Sequence, residues 1–188
     1  MNLYDLFMVP LEKRYLFGIR KNLIPRATGD VLEIGAGTGV NFGFYDKSKI
    51  SSFNVLDIDI KNITKSRAPK NTVFTKSTTS RLPYDDNSFD SVVETLVLCS
   101  VDDTVKMMNE IKRVLRPEGL FIHIDHGLPS DQKLKKLFRL MAPAWRGMTR
   151  SCRIDKDQKA IIEESGLEVV EENAKGKGVF YWGVAKKV

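Results

Sequence analysis

Two cysteines and two histidines are all that this chain of 188 residues carries, and they are scattered. Zinc sites read from sequence need such residues in pairs at short fixed spacings, so no metal is expected here. Two cysteines, Cys99 and Cys152, make no disulfide framework, and a reducing cytoplasm fits that usage. No run of 18 apolar residues is present, which argues against a transmembrane helix. Asp5 and Glu12 come early and no cleavage site is visible, so a signal peptide is not expected. Repeats, low-complexity stretches and linkers are missing as well. A hydrophobic fraction of 42% and a charged fraction of 29% suit one globular domain over residues 1–188.

Absences also narrow the one glycine-rich loop. Val31-Leu32-Glu33-Ile34 reads as a buried strand, and Gly35-Ala36-Gly37-Thr38-Gly39 as the turn after it. A phosphate-binding P-loop would end in Gly-Lys-Ser/Thr, which is not found. A dinucleotide fingerprint needs a third glycine where Val40 stands. What is present is E-x-G-x-G-x-G from Glu33 to Gly39. Alternate glycines let a ligand lie against bare backbone, and the helix expected next would turn its free N–H groups toward it.

The net charge of +6 is unevenly placed. Residues 1–28 hold Lys13, Arg14, Arg20, Lys21 and Arg26 against Asp5 and Glu12, a balance of +3. Residues 131–153 hold Lys133, Lys135, Lys136, Arg139, Arg146, Arg150 and Arg153 against Asp131, a balance of +6. The remainder is therefore −3. Such basic segments favour an anionic substrate or an anionic membrane surface, and solubility alone explains them equally well.

Apolar spacing over residues 3–24 predicts two short helices broken near Pro10, which pack on a sheet and lid its ligand, with Tyr4 or Tyr15 nearby. Strands are expected at 31–34, 53–58, 72–75, 91–98, 120–124, 167–170 and 179–185. Helices are expected around 40–45, 60–68, from Asp102 to Leu115, from Ser130 to Pro143, and from Asp155 to Gly166. Alternating elements of this kind make a mostly parallel sheet covered on both faces. Asp59 ends the second strand, 20 residues beyond Gly39, where a carboxylate reaches the ribose hydroxyls of an adenosine. Asp57 lies two residues earlier on the same strand face and is the alternative.

The loop resembles motif I of the class I S-adenosylmethionine (SAM) methyltransferases, where it passes under the amino-acid end of SAM. Asp59, Leu82-Pro83-Tyr84 with Asn87-Ser88-Phe89-Asp90, and Glu110-Ile111-Lys112-Arg113-Val114-Leu115-Arg116-Pro117 follow in order. Together these four motifs resemble the type-11 branch of that class. The fold this resemblance implies is α/β and Rossmann-like: a doubly wound seven-stranded sheet, mostly parallel, its last strand antiparallel, with helices on both faces. Lys13-Arg14-Tyr15-Leu16-Phe17, Thr95-Leu96-Val97-Leu98-Cys99-Ser100-Val101, Asp125-His126 and Pro143-Ala144-Trp145 are similar to small methyltransferase-like proteins that include alkyl thiol methyltransferases. The resemblance implies that Glu33, Gly35, Ala36, Gly37, Thr38, Gly39, Asn41, Asp59, Ile60, Thr78, Thr79, Thr95 and Leu96 line SAM. The helical lid expected at 1–28 and the substrate-side helical insertion expected at 127–153 are the pieces added to the core βα pattern. Glu118 stands where the family usually has glycine, and Thr78-Thr79 where many relatives have Asp-Ala facing the adenine.

The expected activity is transfer of a methyl group from SAM to a small-molecule thiol or amine, releasing S-adenosylhomocysteine, without metal. His126, just past the fifth strand, is the candidate base, and Asp125 either orients it or faces the site itself. Both cysteines read as packing or pocket residues, and His123, inside the strand, as packed. The alternatives are a SAM-binding module without turnover, and a lipid headgroup or quinone-type methyltransferase at a membrane surface. Strand four lacks the Asn/Asp-Pro-Pro-Tyr motif that serves base methylation, and no basic and aromatic residues interleave, so nucleic acid is not an expected partner. The expected state is a monomer or homodimer, and peripheral membrane contact is compatible with the charge but not predicted.

Overall fold

The computed structural model describes residues 16–77, 81–149 and 152–188. Thr78, Thr79 and most of the proposed N-terminal lid, Tyr4 and Tyr15 included, lie outside them. The elements run α1 (Phe17–Leu23), β1 (Gly29–Ile34), β2 (Ile50–Asp57), β3 (Val73–Lys76) and β4 (Phe89–Thr95). Then come α2 (Thr104–Val114), β5 (Leu115–His126), α3 (Gln132–Thr149), α4 (Gln158–Glu163), β6 (Glu168–Lys175) and β7 (Phe180–Lys186).

The seven strands make one sheet in the order β3-β2-β1-β4-β5-β7-β6. The first five are parallel, and β7 runs antiparallel to both β5 and β6. Strand order reverses between β1 and β4, so a crevice opens at their carboxyl ends, where folds of this kind hold ligands. Strand alternation splits the core in two. Leu32, Ile34, Val92 and Phe121 pack with Met107, Met108, Ile111 and Val114 of α2 and Ile162 of α4. Val31, Val55, Val93, Ile122 and Ile124 pack on the other side with Leu16, Leu23, Ile24 and Phe42. Both faces are thus covered, as a parallel sheet requires. No helix among the described residues is long and apolar enough to cross a membrane.

Several elements differ from the sequence expectation. Residues 40–45 form only a 3₁₀ turn, Val40–Gly43, because six residues with a glycine among them offer too little to offset helix nucleation. Residues 60–68 also reduce to a 3₁₀ turn, Lys65–Arg67. Ile60 and Ile63 are too few for an apolar face, and Pro69 forces Ala68 into extended backbone, ψ 157°. Helix α3 runs on through Pro143 because Phe138, Ala142 and Trp145 pack down on either side of it. Strand β5 begins at Leu115 and carries Glu118 at φ +66°, a left-handed position that glycine would occupy without strain. The caps of α2 and α4 are Asp103 and Asp157, one and two residues beyond the expected helix starts at Asp102 and Asp155.

Ile111 is fully buried under α2, and the Asp103 carboxylate accepts the Lys106 N–H at 2.9 Å. Urea unfolding should therefore show Ile111→Ala losing roughly 2–5 kcal/mol, the cost of an unfilled core cavity. Asp103→Ala should lose only about 1 kcal/mol, the worth of one cap. Equal losses would contradict this placement of the core.

Candidate active site

Strand β1 delivers the glycine loop to the crevice. Gly35, Gly37 and Gly39 have φ of +66°, +58° and +80°. A β-carbon on Gly35 would strike Val97, and one on Gly39 would strike the Phe42 ring, so packing demands glycine at both. Gly37 is different: it is exposed, and a β-carbon there would meet nothing within 4 Å. Its open face is the surface on which a ligand can lie against backbone. Thr38 is exposed beside it, and Ala36 is buried beneath.

Asp57, at the last position of β2, ties this loop down. Its Oδ2 accepts the Gly37 N–H at 2.8 Å and its Oδ1 accepts the Asp59 N–H at 2.9 Å. Asp57 is buried. Asp59 is exposed and accepts from the Lys61 N–H and the Asn62 amide within its own turn. Ile60 is partly buried against the core on the α1 side. Of the two carboxylates, Asp57 is the one brought to the glycine loop.

Beneath the loop, Glu33 is 1% exposed. Its oxygens accept from the Asn41 amide at 2.9 Å and the Tyr45 hydroxyl at 3.0 Å. Asn41 in turn accepts from the Arg20 guanidinium. The Thr95 hydroxyl oxygen receives Arg20 at 3.0 Å and Asn41 at 3.1 Å. Burial pushes the Glu33 carboxyl up to about 7, and the bonds from Asn41 and Tyr45 and the charge of Arg20 hold it from rising further. The structure thus joins Glu33, Asn41 and Thr95, and adds Arg20 and Tyr45, which sequence reasoning missed. Arg20 sits in an amphipathic helix where a solvated face is the ordinary expectation, and nothing local marks it as buried.

Across the crevice lies the acceptor side. Leu96, at φ +59°, donates its N–H to Ile124 O at 2.8 Å and so ties the end of β4 to β5. Asp125 is fully buried, its Oδ1 accepts the His126 N–H at 2.7 Å, and burial raises its carboxyl to about 6. His126 Nε2 lies 3.0 Å from Cys152 Sγ, and the Trp145 indole N–H donates to the same sulfur at 3.3 Å. Cys99 Sγ donates to Leu96 O at 3.5 Å, and its free thiol lies within 4.8 Å of the Cys152 thiol. The bond from Cys99, with those from His126 and Trp145, pulls the Cys152 thiol down to about 4, while the same pairing and burial push Cys99 up. Both cysteines do pack among apolar neighbours, Ala142 and Ile154, but they also meet each other and His126. His123 is buried in β5, stacked on Phe121 with ring centroids 5.5 Å apart.

A seven-stranded sheet of this order, with a glycine loop at the switch point and a carboxylate ending β2, defines the Rossmann-like methyltransferase class. Residues 32–123 match the family model described as a methyltransferase domain. The rat thiol S-methyltransferase TMT1B is 31% identical over 85% of this chain and 69% of its own length. The yeast (Saccharomyces cerevisiae) mitochondrial methyltransferase OMS1 is 31% identical over 95% of this chain, which spans 43% of OMS1. Among solved structures, an S-adenosylmethionine-dependent methyltransferase from Mesorhizobium loti superposes with a TM-score of 0.68 at 13% identity, covering 90% of this chain and 96% of its own. The [4+2]-cyclase SpnF gives 0.69 at 14% identity, covering 92% and 79%. The chain belongs to the class I SAM-dependent methyltransferases of the type-11 branch.

Glu33 yields a pH test. Its folded value of about 7 lies above the ordinary 4.5, so the protonated form favours folding. The stability it contributes is complete below about 4.5 and is lost as pH rises through about 7, up to roughly 3 kcal/mol. Thermal unfolding should show the wild type losing ground to Glu33→Gln between pH 5 and 8. A pH-independent difference would mean that Glu33 is already ionised, held by the Arg20 network.

Proposed function

We propose that this protein methylates a small thiol, with SAM as donor, in the crevice between the glycine loop and the Asp125–His126 turn. The observation that carries the reading is the open face of Gly37, held in place by the buried Asp57 carboxylate. Donor and site fit: a cradle that a side chain would fill lies beside a buried carboxylate at the end of β2, where ribose hydroxyls bond in such folds. Bound there, SAM supplies a methyl group activated by its own sulfonium. The chain's residues then bind, orient and exclude water, and orientation is worth up to about 7–11 kcal/mol of the barrier. Asp57 takes the ribose-side role, and Gly35–Gly39 lie under the amino-acid end. Asp125 and His126 lie on the acceptor side, where the incoming S–H must lose its proton. A thiol acceptor is supported by the thiol S-methyltransferase activity for which TMT1B is named and by the soft sulfur environment of Cys99 and Cys152.

A second reading concerns where the acceptor comes from. Helix α3 exposes Leu137, Leu140, Met141 and Met148, and its exposed basic residues include Lys133, Lys136, Arg139 and Arg146. That combination suits an anionic membrane surface that presents a lipophilic thiol. Cosedimentation with vesicles containing phosphatidylserine, and not with neutral vesicles, would support it.

Calorimetry should show SAM binding to the wild type. Asp57→Ala should weaken it about 10- to 100-fold, the loss of charge-assisted bonds worth roughly 1.5–3 kcal/mol, and Asp59→Ala should weaken it less. Gly37→Val should abolish binding. Incubation with trideuteromethyl-SAM and a panel of thiols, amines and phenols should then place the label on sulfur. Label on no acceptor, with SAM bound, would instead support a binding module, or other chemistry of the kind named for SpnF.

A further inference from the structure

Cys99, His126 and Cys152 come from three separate elements: the turn after β4, the end of β5 and the segment after α3. Residues 26 to 53 positions apart have no local reason to meet. Yet one donor atom from each lies within 4.8 Å of the other two, and both cysteines are free. Among the described residues, no other group of three His, Cys, Asp or Glu donors converges in this way.

We propose that Cys99, His126 and Cys152 form a three-ligand site for zinc, and that its fourth position takes the acceptor thiolate. The inference rests on the thiol reading above and gives it a means of activation.

Two thiolates and one imidazole are a donor set that suits zinc, and three protein ligands with one place left open mark catalytic rather than structural zinc. The spacing agrees. Zinc–sulfur bonds of about 2.3 Å and zinc–nitrogen bonds of about 2.0 Å at a tetrahedral centre set ligand atoms roughly 3.5–3.8 Å apart. The separations here begin at 3.0 Å and stay within 4.8 Å, so small side-chain adjustments suffice. Outer contacts are also in place. The Trp145 N–H donates to Cys152 Sγ, and Asp125, whose Oδ2 is buried without a partner, backs the His126 peptide. A cation beside them would compensate a buried carboxylate whose Oδ2 the fold leaves unpaired. His126 is the member of the three that keeps partial exposure, so the group is not fully enclosed. Position matters as well: Cys99 bonds to Leu96 O, at the edge of β4 where Thr95 meets Asn41 beside the glycine loop.

The chemistry balances. Both cysteines release protons when zinc binds, and the acceptor releases its S–H proton to solvent as its sulfur coordinates. A lone pair on that sulfur then forms the new carbon–sulfur bond while the donor's methyl–sulfonium bond breaks. The neutral thioether is a weak ligand and leaves. Zinc changes neither oxidation state nor protein ligands, and His126 serves as a ligand rather than as a free base.

Cobalt substitution tests this. The untagged, chelator-stripped protein is titrated with Co²⁺ in a phosphine reductant, and the absorption spectrum is read. One equivalent should bind, with thiolate-to-cobalt charge transfer in the near ultraviolet and the intense visible bands of four-coordinate cobalt, and zinc should displace it. Adding benzenethiol should strengthen the charge transfer and shift the visible bands. Trp145→Phe should weaken cobalt binding about 10-fold, as loss of an outer contact does. Cys99→Ser and Cys152→Ser should each weaken it further and diminish the charge transfer, with thermal unfolding confirming that both are folded. The proposal is overturned if the wild type shows no charge transfer, if both serine variants bind cobalt as tightly as the wild type, or if benzenethiol leaves the bands unchanged. SAM calorimetry on the same samples keeps the two claims apart. Binding of SAM with no cobalt site removes only the zinc, whereas a protein that binds no SAM removes the methyl-transfer reading itself.

Discussion

The hydrogen bond from Gly37 N–H to the Asp57 carboxylate is the constraint on which the crevice depends. It joins the loop after β1 to the end of β2, neighbouring parallel strands whose register sets Ile34 against Leu56. Without that tie, a loop with three left-handed glycines would have many shapes open to it, because glycine restricts its backbone so little. With it, the Gly37 face points outward while Gly35 and Gly39 pack inward against Val97 and Phe42. The loop is therefore a shaped surface before any ligand arrives, and less ordering remains to be done on binding.

A second level of order lies below. Glu33 is a carboxyl group placed where water does not reach, and its two oxygens are satisfied by Asn41 and Tyr45. Asn41 passes the contact to Arg20 and Thr95. Helix α1, the glycine loop and the end of β4 are thus held by one buried polar network, in which each member satisfies another. Such a network gives the two sides of the crevice a fixed relation. On the far side the tie from Leu96 to Ile124 sets β4 against β5 in the same manner, and it delivers Cys99 and His126 to a shared space.

Much of this architecture is written in local pattern. The alternation of short apolar runs with the helical spacing of Val105, Met108, Ile111 and Leu115 is enough to infer a parallel, doubly covered sheet, although Val105 itself is exposed, and E-x-G-x-G-x-G places the loop at its switch point. Element edges are less legible. Pro143 reads as a stop until the packing of Phe138, Ala142 and Trp145 is known, and residues 60–68 read as a helix until Pro69 and their thin apolar content are weighed. Asp57 and Asp59 share a strand face, so only the observed end of β2 separates the buried carboxylate from the solvated one. Least legible are contacts between distant residues. Arg20 reaches Thr95 across 75 positions, and Cys99, His126 and Cys152 share no motif. Spacing rules for metal ligands see neighbours in sequence, whereas this group is assembled by two strand ends and the segment after α3.

The most direct test of the account is the structure of the protein bound to S-adenosylhomocysteine. The account requires the ribose hydroxyls to lie within hydrogen-bonding distance of Asp57, the homocysteine to cross the open face of Gly37, and the sulfur to point toward His126. A product molecule bound elsewhere, or ribose held by Asp59 while Asp57 stays turned into the loop, would contradict it.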